Sequence, residues 1–196
     1  SATGVRYFPQ ADVAAVRRAV AGSGLVDGVA PAIIEPVGVQ APRSRENEPQ
    51  VTLFASDGAA LRGFGAITTS DGHALSLSSL DPGWVYLNRD GADKLDAGAG
   101  DTLRVFAGQT AVEVRVKAIV SYDGAGTDGA AVLMPLAAAQ ELLGRPGKIK
   151  YVLVSNRGGT TSGVAATDQV VNALRPALAP LGLQASPAKR DALKTA

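Results

Sequence analysis

His73 is the only histidine of the 196-residue chain, and hydroxyl and carboxyl side chains surround it in the sequence. The neighbours that could complete a Ser-His-Asp triad are Ser70, Asp71, Ser76 and Ser79. A triad needs the histidine to take the proton of a nucleophilic hydroxyl while a carboxylate orients the imidazole. However, Asp71-Gly72-His73 is a typical turn sequence, and the chain has no Gly-x-Ser-x-Gly elbow. We therefore interpret His73 as a loop residue and predict no catalytic residue.

Two glycine-rich segments resemble parts of a phosphate-binding loop, Gly63-Phe64-Gly65 and Gly124-Ala125-Gly126. Neither continues as Gly-x-Gly-x-x-Gly, and neither follows a strand while opening a long helix. The chain also lacks the Gly-x-x-x-x-Gly-Lys-Ser/Thr pattern. Turn flexibility explains these glycines better than nucleotide binding, so we predict no bound nucleotide and no other cofactor.

The remaining chemical candidates are three carboxylates and one aromatic residue. Asp93, Asp96 and Asp101 show no evident shared pocket, and Gly100-Asp101 reads as a turn in which the carboxylate bonds nearby amides. The chain has one histidine and no cysteine, which leaves few of the side chains that usually bind zinc. We therefore predict no metal site. Trp84 follows Pro82-Gly83 and suits a core anchor better than an exposed binding aromatic.

Composition excludes several further classes of function. Lys and Arg number 19 against 18 Asp and Glu, so the net charge of +1 lacks the basic excess of a nucleic-acid-binding protein. Hydrophobic residues make up 46% but aromatic residues only 5%, which predicts a core built mainly from small aliphatic side chains. No run approaches the ~20 apolar residues of a membrane span, and residues 1–4 do not resemble a signal peptide. The abrupt ends suggest a segment of a longer protein.

The N-terminal region alternates a helix with an extended segment. Residues 9–21 are predicted to be helical, with Val13, Val16 and Val20 on one buried stripe. Asp12 is placed to accept hydrogen bonds from free amides at the helix start. Residues 25–40 contain two prolines and many β-branched residues, which favours a strand. The polar, proline-bounded segment 41–49 is predicted to be a linker and the first lobe boundary.

The middle of the chain is predicted to be rich in strands. Strands are expected at 50–55, 75–78 and 84–87, with a turn of helix and a loop over 58–72. Asn88 is placed to cap a short helix that runs through Leu95. Residues 102–106 and 110–122 form a predicted hairpin around a turn at 107–109. In its second arm Val112, Val114 and Val116 alternate with Glu113, Arg115 and Lys117, which predicts one buried and one wet face.

The C-terminal region is predicted to return to alternating strands and helices after a loop and second boundary at 123–129. Strands are expected at 131–134, 148–155 and 183–185. Helices are expected at 135–143, with Pro135 in the first turn, and at 164–179, with Pro176 kinking or shortening it. The inner face of the second helix is predicted to carry Val170, Val171, Leu174 and Leu178. Residues 157–162 read as a loop, and 189–196 as a polar helix.

Several short segments, in this order and spacing, resemble the extracytoplasmic domain of FtsX/MacB-type ABC transporter permeases. They are Val85-Tyr86-Leu87-Asn88, Ala92-Asp93-Lys94-Leu95, Gly100-Asp101-Thr102-Leu103, Val132-Leu133-Met134-Pro135-Leu136, Ala139-Gln140-Glu141-Leu142-Leu143-Gly144 and Ile149-Lys150-Tyr151-Val152-Leu153-Val154. The terminal run Lys189-Arg190-Asp191-Ala192-Leu193 resembles the polar segment that leads into a membrane helix of the family. The resemblance covers most of the chain and is weakest over residues 59–79.

The resemblance implies an α+β fold and a mechanical role. It implies a discontinuous two-lobe domain, with a porter-like helix-strand lobe from 1–45 and 130–196 and an inserted, strand-rich, sabre-like lobe from 46–129. It further implies a non-catalytic domain on the outer face of a bacterial membrane, which couples cytoplasmic ATP hydrolysis to transport or to an extracytoplasmic partner. The implied partners are an ATP-binding cassette subunit, a second permease subunit, and an extracytoplasmic protein or a lipid or peptide substrate.

Two other functions stay open from the sequence. A free-standing extracytoplasmic binding protein would need a cleft with convergent polar groups. A hydrolase would need His73 as its base, and would lose activity in a His73→Ala variant.

Overall fold

The computed structural model describes residues 6–61, 63–124, 127–157 and 166–187. The α-helices are α1 (Val13–Val20), α2 (Arg89–Leu95), α3 (Leu136–Leu142) and α4 (Thr167–Leu178). The strands are β1 (Phe8–Pro9), β2 (Val26–Ala41), β3 (Glu46–Ser56), β4 (Ile67–Thr69), β5 (Ala74–Leu75), β6 (Trp84–Asn88), β7 (Thr102–Ala107), β8 (Thr110–Ser121), β9 (Ala131–Pro135), β10 (Lys148–Ile149) and β11 (Tyr151–Asn156). Single turns of 3-10 helix cover Gln10–Asp12, Leu77–Ser79 and Ala179–Leu181.

One mixed sheet organises the fold, which is therefore α+β as predicted. Eight of its nine strands lie in the order β11-β2-β3-β9-β6-β8-β4-β5, and the ninth, β7, pairs with both β2 and β8. The β3–β9 and β6–β8 pairs are parallel and the other pairs are antiparallel. A separate two-stranded ribbon joins β1 to β10. The sheet connects strands from both predicted lobes, and the division into lobes stays a prediction.

The central strands are buried on both faces of the sheet. In β3, Leu53 and Phe54 are both fully buried but belong to different hydrophobic clusters, since successive side chains point to opposite faces. Val132 and Leu133 divide in the same way in β9. Strands covered on both faces read as continuous apolar runs instead of alternating ones. This explains why Leu53-Phe54-Ala55 and residues 131–134 are continuous apolar runs in the sequence.

The two terminal helices form a separate small core. Val16 and Val20 of α1 pack with Val170, Leu174 and Leu178 of α4, and all five are buried. The stripe predicted for the first helix is thus confirmed, and Val13 at its start joins the main core. The structure corrects the role of Asp12, whose side chain makes no capping hydrogen bond. Val171 of α4, also predicted to face inward, is only half-buried.

The β7–β8 hairpin confirms the predicted alternation. Val114 and Val116 are buried and Val112 is half-buried, whereas Glu113, Arg115 and Lys117 are exposed. The arms are in register from Thr102 opposite Arg115 to Ala107 opposite Thr110. A local hydrophobic pattern was therefore enough to assign the faces of the second arm, β8.

Asn88 caps α2 as predicted and also ties this helix to β9. Its Oδ1 accepts hydrogen bonds from the backbone N–H of Gly91 (2.9 Å) and of Ala131 (2.8 Å). Its Nδ2 donates to the carbonyl of Gly129 (2.6 Å). Because Asn88 is only 8% exposed, these three bonds satisfy polar groups that have little access to water.

Several predicted elements differ from the structure. Segment 41–49 is not a linker, because β2 ends at Ala41 and β3 already begins at Glu46, leaving a tight hairpin turn. Strand β4 was missed inside the predicted loop, and the predicted strand at 183–185 does not form. Pro135 is the N-cap of α3 and not part of its first turn. The strand predicted at 148–155 is interrupted at Lys150.

The predicted loop at 157–162 and the polar helix at 189–196 lie almost wholly outside the described residues. Pro176 lies inside α4, which continues two residues beyond it to Leu178, one residue short of the predicted end. Among the described helices, none combines the length and the apolar character needed to cross a membrane.

Candidate functional site

A groove of about 310 Å³ lies where β2, the end of β7 and the end of α3 meet. We call it the Phe106 groove. Its walls include Tyr7, Glu35, Val37, Phe106, Leu143 and Arg145. These residues come from four separate parts of the chain, and the long strand β2 provides the surface on which the others converge. The groove therefore combines apolar walls with a small number of charged groups.

Phe106 is the exposed apolar residue of this groove. Phe106 is 39% exposed. Among the described residues, it is the one large hydrophobic residue that is classed as exposed. In β7 the side chains of Leu103 and Val105 point into the core. Because successive side chains of a strand point to opposite faces, Arg104 and Phe106 point outward. Period two thus forces a phenylalanine onto the solvent side at the tip of the hairpin.

Glu35 is the best satisfied charged group in the groove. Its carboxylate lies 2.6 Å from the Lys150 ammonium and accepts a hydrogen bond from the Tyr7 hydroxyl at 2.9 Å. The side chains of Glu35 and Lys150 are only 14% and 20% exposed. Burial, followed by the hydrogen bond to Glu35 and its charge, raises the pKa of Tyr7 above its usual range. Tyr7 is thus a neutral donor at physiological pH.

Arg145 is placed differently, because its charge faces an aromatic ring. Its guanidinium lies 5.3 Å from the centre of the Tyr7 ring, and the Lys150 ammonium lies 5.1 Å from the same centre. Such contacts are weakly attractive at exposed sites. Among the described residues, no carboxylate lies within ion-pair distance of Arg145. The groove therefore has an exposed phenylalanine beside a cation whose charge no carboxylate neutralises there.

The floor of the groove is an unpaired stretch of β2. On the edge opposite β3, β2 pairs with β11 up to Ala32 and with β7 from Gly38 onward. No described strand pairs with residues 33–37 on that edge. Pro36 is exposed here and has no backbone N–H, which limits main-chain pairing with an added strand.

Among the described residues, no hydroxyl side chain is hydrogen-bonded to the His73 imidazole. Its Nδ1 lies 2.8 Å from the Asp71 carboxylate, but both side chains are well exposed, at 76% and 66%. The residues form the β4–β5 turn, in which Thr69 also bonds Asp71. Among the described residues, no serine hydroxyl is hydrogen-bonded to His73; Ser79, for example, donates to the carbonyl of Ser76. The triad arrangement considered from the sequence is not assembled.

Asp101 closes a turn, as predicted, and is also bonded to the tip of the β2–β3 hairpin. Its carboxylate accepts from the Gly98 backbone N–H at 2.8 Å and from the Arg43 guanidinium at 2.9 Å. These two donors hold the pKa of Asp101 below its usual range. Arg43 also donates to the carbonyl of Asp96 at 2.7 Å. Among the described residues, no hydrogen bond or ion pair joins the Asp93 side chain to Asp101 or Arg43.

Trp84 has features both of a core anchor and of an exposed aromatic residue. It is half-buried and packs against one hydrophobic cluster, as a core anchor would. Its ring also lies 5.3 Å from the Arg115 guanidinium and 5.1 Å from the Lys117 ammonium, both on the wet face of β8. The register explains this contact, because Trp84 stands opposite Arg115 in the parallel β6–β8 pair.

The glycine-rich segments form turns where they are described. Gly63 and Gly65 have φ values of +93° and +95°, which favour glycine, and no long helix follows them. Residues 125 and 126 of the second segment lie outside the described residues. Within the described part of the chain, no group of three or more His, Asp or Glu side chains could hold a metal ion.

Sequence reasoning missed the Phe106 groove as a whole. The outward position of Phe106 follows from the alternation of β7 and could have been read from the sequence. The contact of Glu35 with Lys150 has no such signal, because a sheet brings these residues together from distant parts of the chain.

Comparison with solved structures identifies the fold. The chain is similar to the extracellular domain of the noncanonic ABC-type transporter YknZ from Gram-positive bacteria, with a TM-score of 0.61 and 14% identity over 91% of this chain and 86% of that one. It is also similar to the periplasmic region of MacB from Actinobacillus actinomycetemcomitans, with a TM-score of 0.55 and 14% identity over 84% of this chain and 72% of that one. A domain of a putative permease protein from Porphyromonas gingivalis gives a TM-score of 0.47, with 14% identity over 77% of this chain and 70% of that one.

No protein-family model and no curated protein sequence matches the chain. The structural likeness confirms the resemblance to FtsX/MacB-type extracytoplasmic domains at the level of the fold. At 14% identity it says nothing about individual site residues.

Proposed function

We propose that this chain is the extracytoplasmic domain of an FtsX/MacB-like ABC transporter permease. The observation that carries the proposal is the fold, which matches the extracellular domain of YknZ over 91% of the chain. The motif order of the sequence points to the same class of domain independently of that comparison. The rest of such a permease would lie in a bacterial membrane and would bind a cytoplasmic ATP-binding cassette subunit.

The proposed role is mechanical and non-catalytic. The domain would transmit movement driven by cytoplasmic ATP hydrolysis to a transported substrate or to an extracytoplasmic protein, and a second permease subunit would complete the transporter. This role is supported by the exposed turn position of His73, the one histidine of the chain, which contacts no serine hydroxyl among the described residues. It is also supported by the Phe106 groove, whose exposed phenylalanine and charged groups suit binding and include no reacting group.

We further propose two lobes that move relative to each other, with residues 1–45 and 130–196 in one and 46–129 in the other. The helical part of the first lobe has its own small core between α1 and α4. The shared sheet runs through both lobes, and the β2–β3, β3–β9, β6–β9 and β2–β7 pairs each join a strand of one lobe to a strand of the other. Such movement would therefore need bending of the sheet at these four pairs.

Labelling in intact cells tests the location and the coupling. The chain has no cysteine, so a Ser70→Cys substitution in the exposed β4–β5 turn adds the one thiol of this domain. In a transporter whose other cysteines are replaced, a membrane-impermeant maleimide should label Ser70→Cys without lysis, and the unsubstituted protein should stay unlabelled. Coupling predicts that the labelling rate changes when the cassette subunit is made unable to hydrolyse ATP. Labelling only after lysis would refute the proposed location.

A further inference from the structure

We infer that the Phe106 groove is a docking site for an extended, acidic and apolar segment of an extracytoplasmic protein. The extracytoplasmic origin of that partner rests on the proposed function, whereas the chemistry of the segment rests on the groove alone.

The apolar wall provides a place for one large side chain. Phe106 is 39% exposed, and Leu143 and Val37 lie in the same groove of about 310 Å³. Interface anchors are typically large side chains that become buried in a pocket of the partner surface. A leucine or phenylalanine of a partner would remove Phe106 from water and fill this space.

The charges select an acidic partner. Glu35 is neutralised by Lys150 at 2.6 Å and also bonds Tyr7, so it has little capacity left for a cationic ligand. Arg145 lies against the Tyr7 ring, and no described carboxylate pairs with it. A carboxylate next to the apolar anchor would therefore meet an unneutralised guanidinium, which favours bidentate, charge-assisted bonds.

The backbone edge indicates that side chains dominate recognition. The carbonyl of Ala32 accepts a hydrogen bond from the Lys150 backbone N–H on the edge of β2 that faces away from β3. Because the backbone polar groups of a strand alternate between its two edges, those of Ile34 and Pro36 point to this same edge. Pro36 offers a carbonyl but no N–H. The edge thus supports only short main-chain pairing, and an extended segment must gain most of its affinity from its apolar and acidic side chains.

A peptide titration with this chain tests the inference. The probe is a blocked pentapeptide of alternating aspartate and leucine, and the matched probe carries lysine in place of aspartate. Titration of the isotope-labelled chain should shift the backbone amide resonances of Val37, Phe106 and Arg145 with the acidic probe. The lysine probe should leave them unchanged.

Two variants and one control sharpen the result. Phe106→Ser should weaken binding of the acidic probe about tenfold or more, because the apolar anchor is lost. Arg145→Glu should weaken it similarly and make the lysine probe the better ligand. Arg175→Glu, which makes the same charge change on the exposed face of α4, should leave the affinity unchanged. Well-dispersed amide spectra of each variant establish that it is folded.

Four outcomes would overturn the inference. They are equal binding of both probes, unchanged binding by the Phe106 and Arg145 variants, shifts that depend on protein concentration without peptide, and binding that appears only after residues 1–5 are removed. The third would assign the groove to a second copy of the chain, and the fourth to the chain's own N-terminus. Because the titration uses the isolated chain, its failure is distinguishable from failure of the labelling experiment in cells.

Discussion

Removing Glu35 should destabilise the protein much more than removing an exposed carboxylate of the same sheet. Glu35 and Lys150 lie 2.6 Å apart with side chains 14% and 20% exposed, so the pair is neither fully buried nor freely solvated. Breaking a buried pair costs about 3–5 kcal/mol, whereas an exposed pair contributes about 0–1 kcal/mol. For Glu35→Leu we expect a loss of about 2–3 kcal/mol, since Lys150 loses its carboxylate and the Tyr7 hydroxyl loses its acceptor.

A double-mutant cycle separates this ion pair from general disruption. Lys150→Met should also be destabilising, because it leaves the Glu35 charge half-buried. Glu35→Leu combined with Lys150→Met should lie within about 1 kcal/mol of the wild type, because the pair is replaced by apolar groups of similar size. The matched control is the exposed pair of Arg104 and Glu113, 3.1 Å apart, where each alanine variant should cost less than about 0.5 kcal/mol.

Urea unfolding followed by circular dichroism measures these free energies, and the thermal midpoint should fall by about 4–12 °C for Glu35→Leu. Two results would refute the reasoning. If Glu35→Leu lowers the free energy of unfolding no more than Glu113→Ala does, solvent screens the Glu35–Lys150 pair despite its low exposure. If the double variant is as unstable as the sum of the single variants, the two residues are not coupled.

Three further predictions concern single residues. Asn88→Ala should cost about 2–4 kcal/mol in urea unfolding, because three hydrogen bonds of a nearly buried side chain are lost; a cost below about 1 kcal/mol would contradict the network. Val114→Asp should lower the free energy of unfolding by more than about 3 kcal/mol, because it buries an unpaired charge. Glu113→Ala should leave that free energy nearly unchanged. Equal thermal midpoints of the two variants would mean that the faces of β8 are assigned wrongly. The pKa of Asp101 lies below its usual range because Gly98 and Arg43 donate hydrogen bonds to its carboxylate. The ionised carboxylate therefore stabilises the fold fully above the unfolded-state pKa of about 4. This stabilisation is lost as pH falls through the lower folded-state pKa. The stability difference between wild type and Asp101→Asn should therefore be full at neutral pH and shrink in acid, and a difference independent of pH would exclude the carboxylate as its source.

The elements predicted best from the sequence are those with a complete local signal. The alternation from Val112 to Lys117 predicted both faces of β8, and Asn88 predicted the start of α2. The valines of α1 predicted its buried face. In each case the residues that determine the structure are neighbours in the sequence, so periodicity and capping chemistry are sufficient.

The failures have a common physical cause, which is that long-range pairing overrides local composition. Residues 46–49 are polar and end in a proline, yet they form the start of β3 because β2 continues opposite them as far as Ala41. Leu183 and Ala185 look extended but pack on the helical core without a strand partner. The Phe106 groove was missed for the same reason, since Glu35 meets Lys150 only after the sheet has formed.

The central claim is that this chain is the extracytoplasmic domain of a membrane-embedded permease, and the sequence of its natural gene tests it most directly. About 60 codons on each side should be read for spans of ~20 apolar residues. The account predicts one such span before Ser1 and three after Ala196. A signal peptide alone, or no apolar span on either side, would contradict the account and favour a free-standing binding protein.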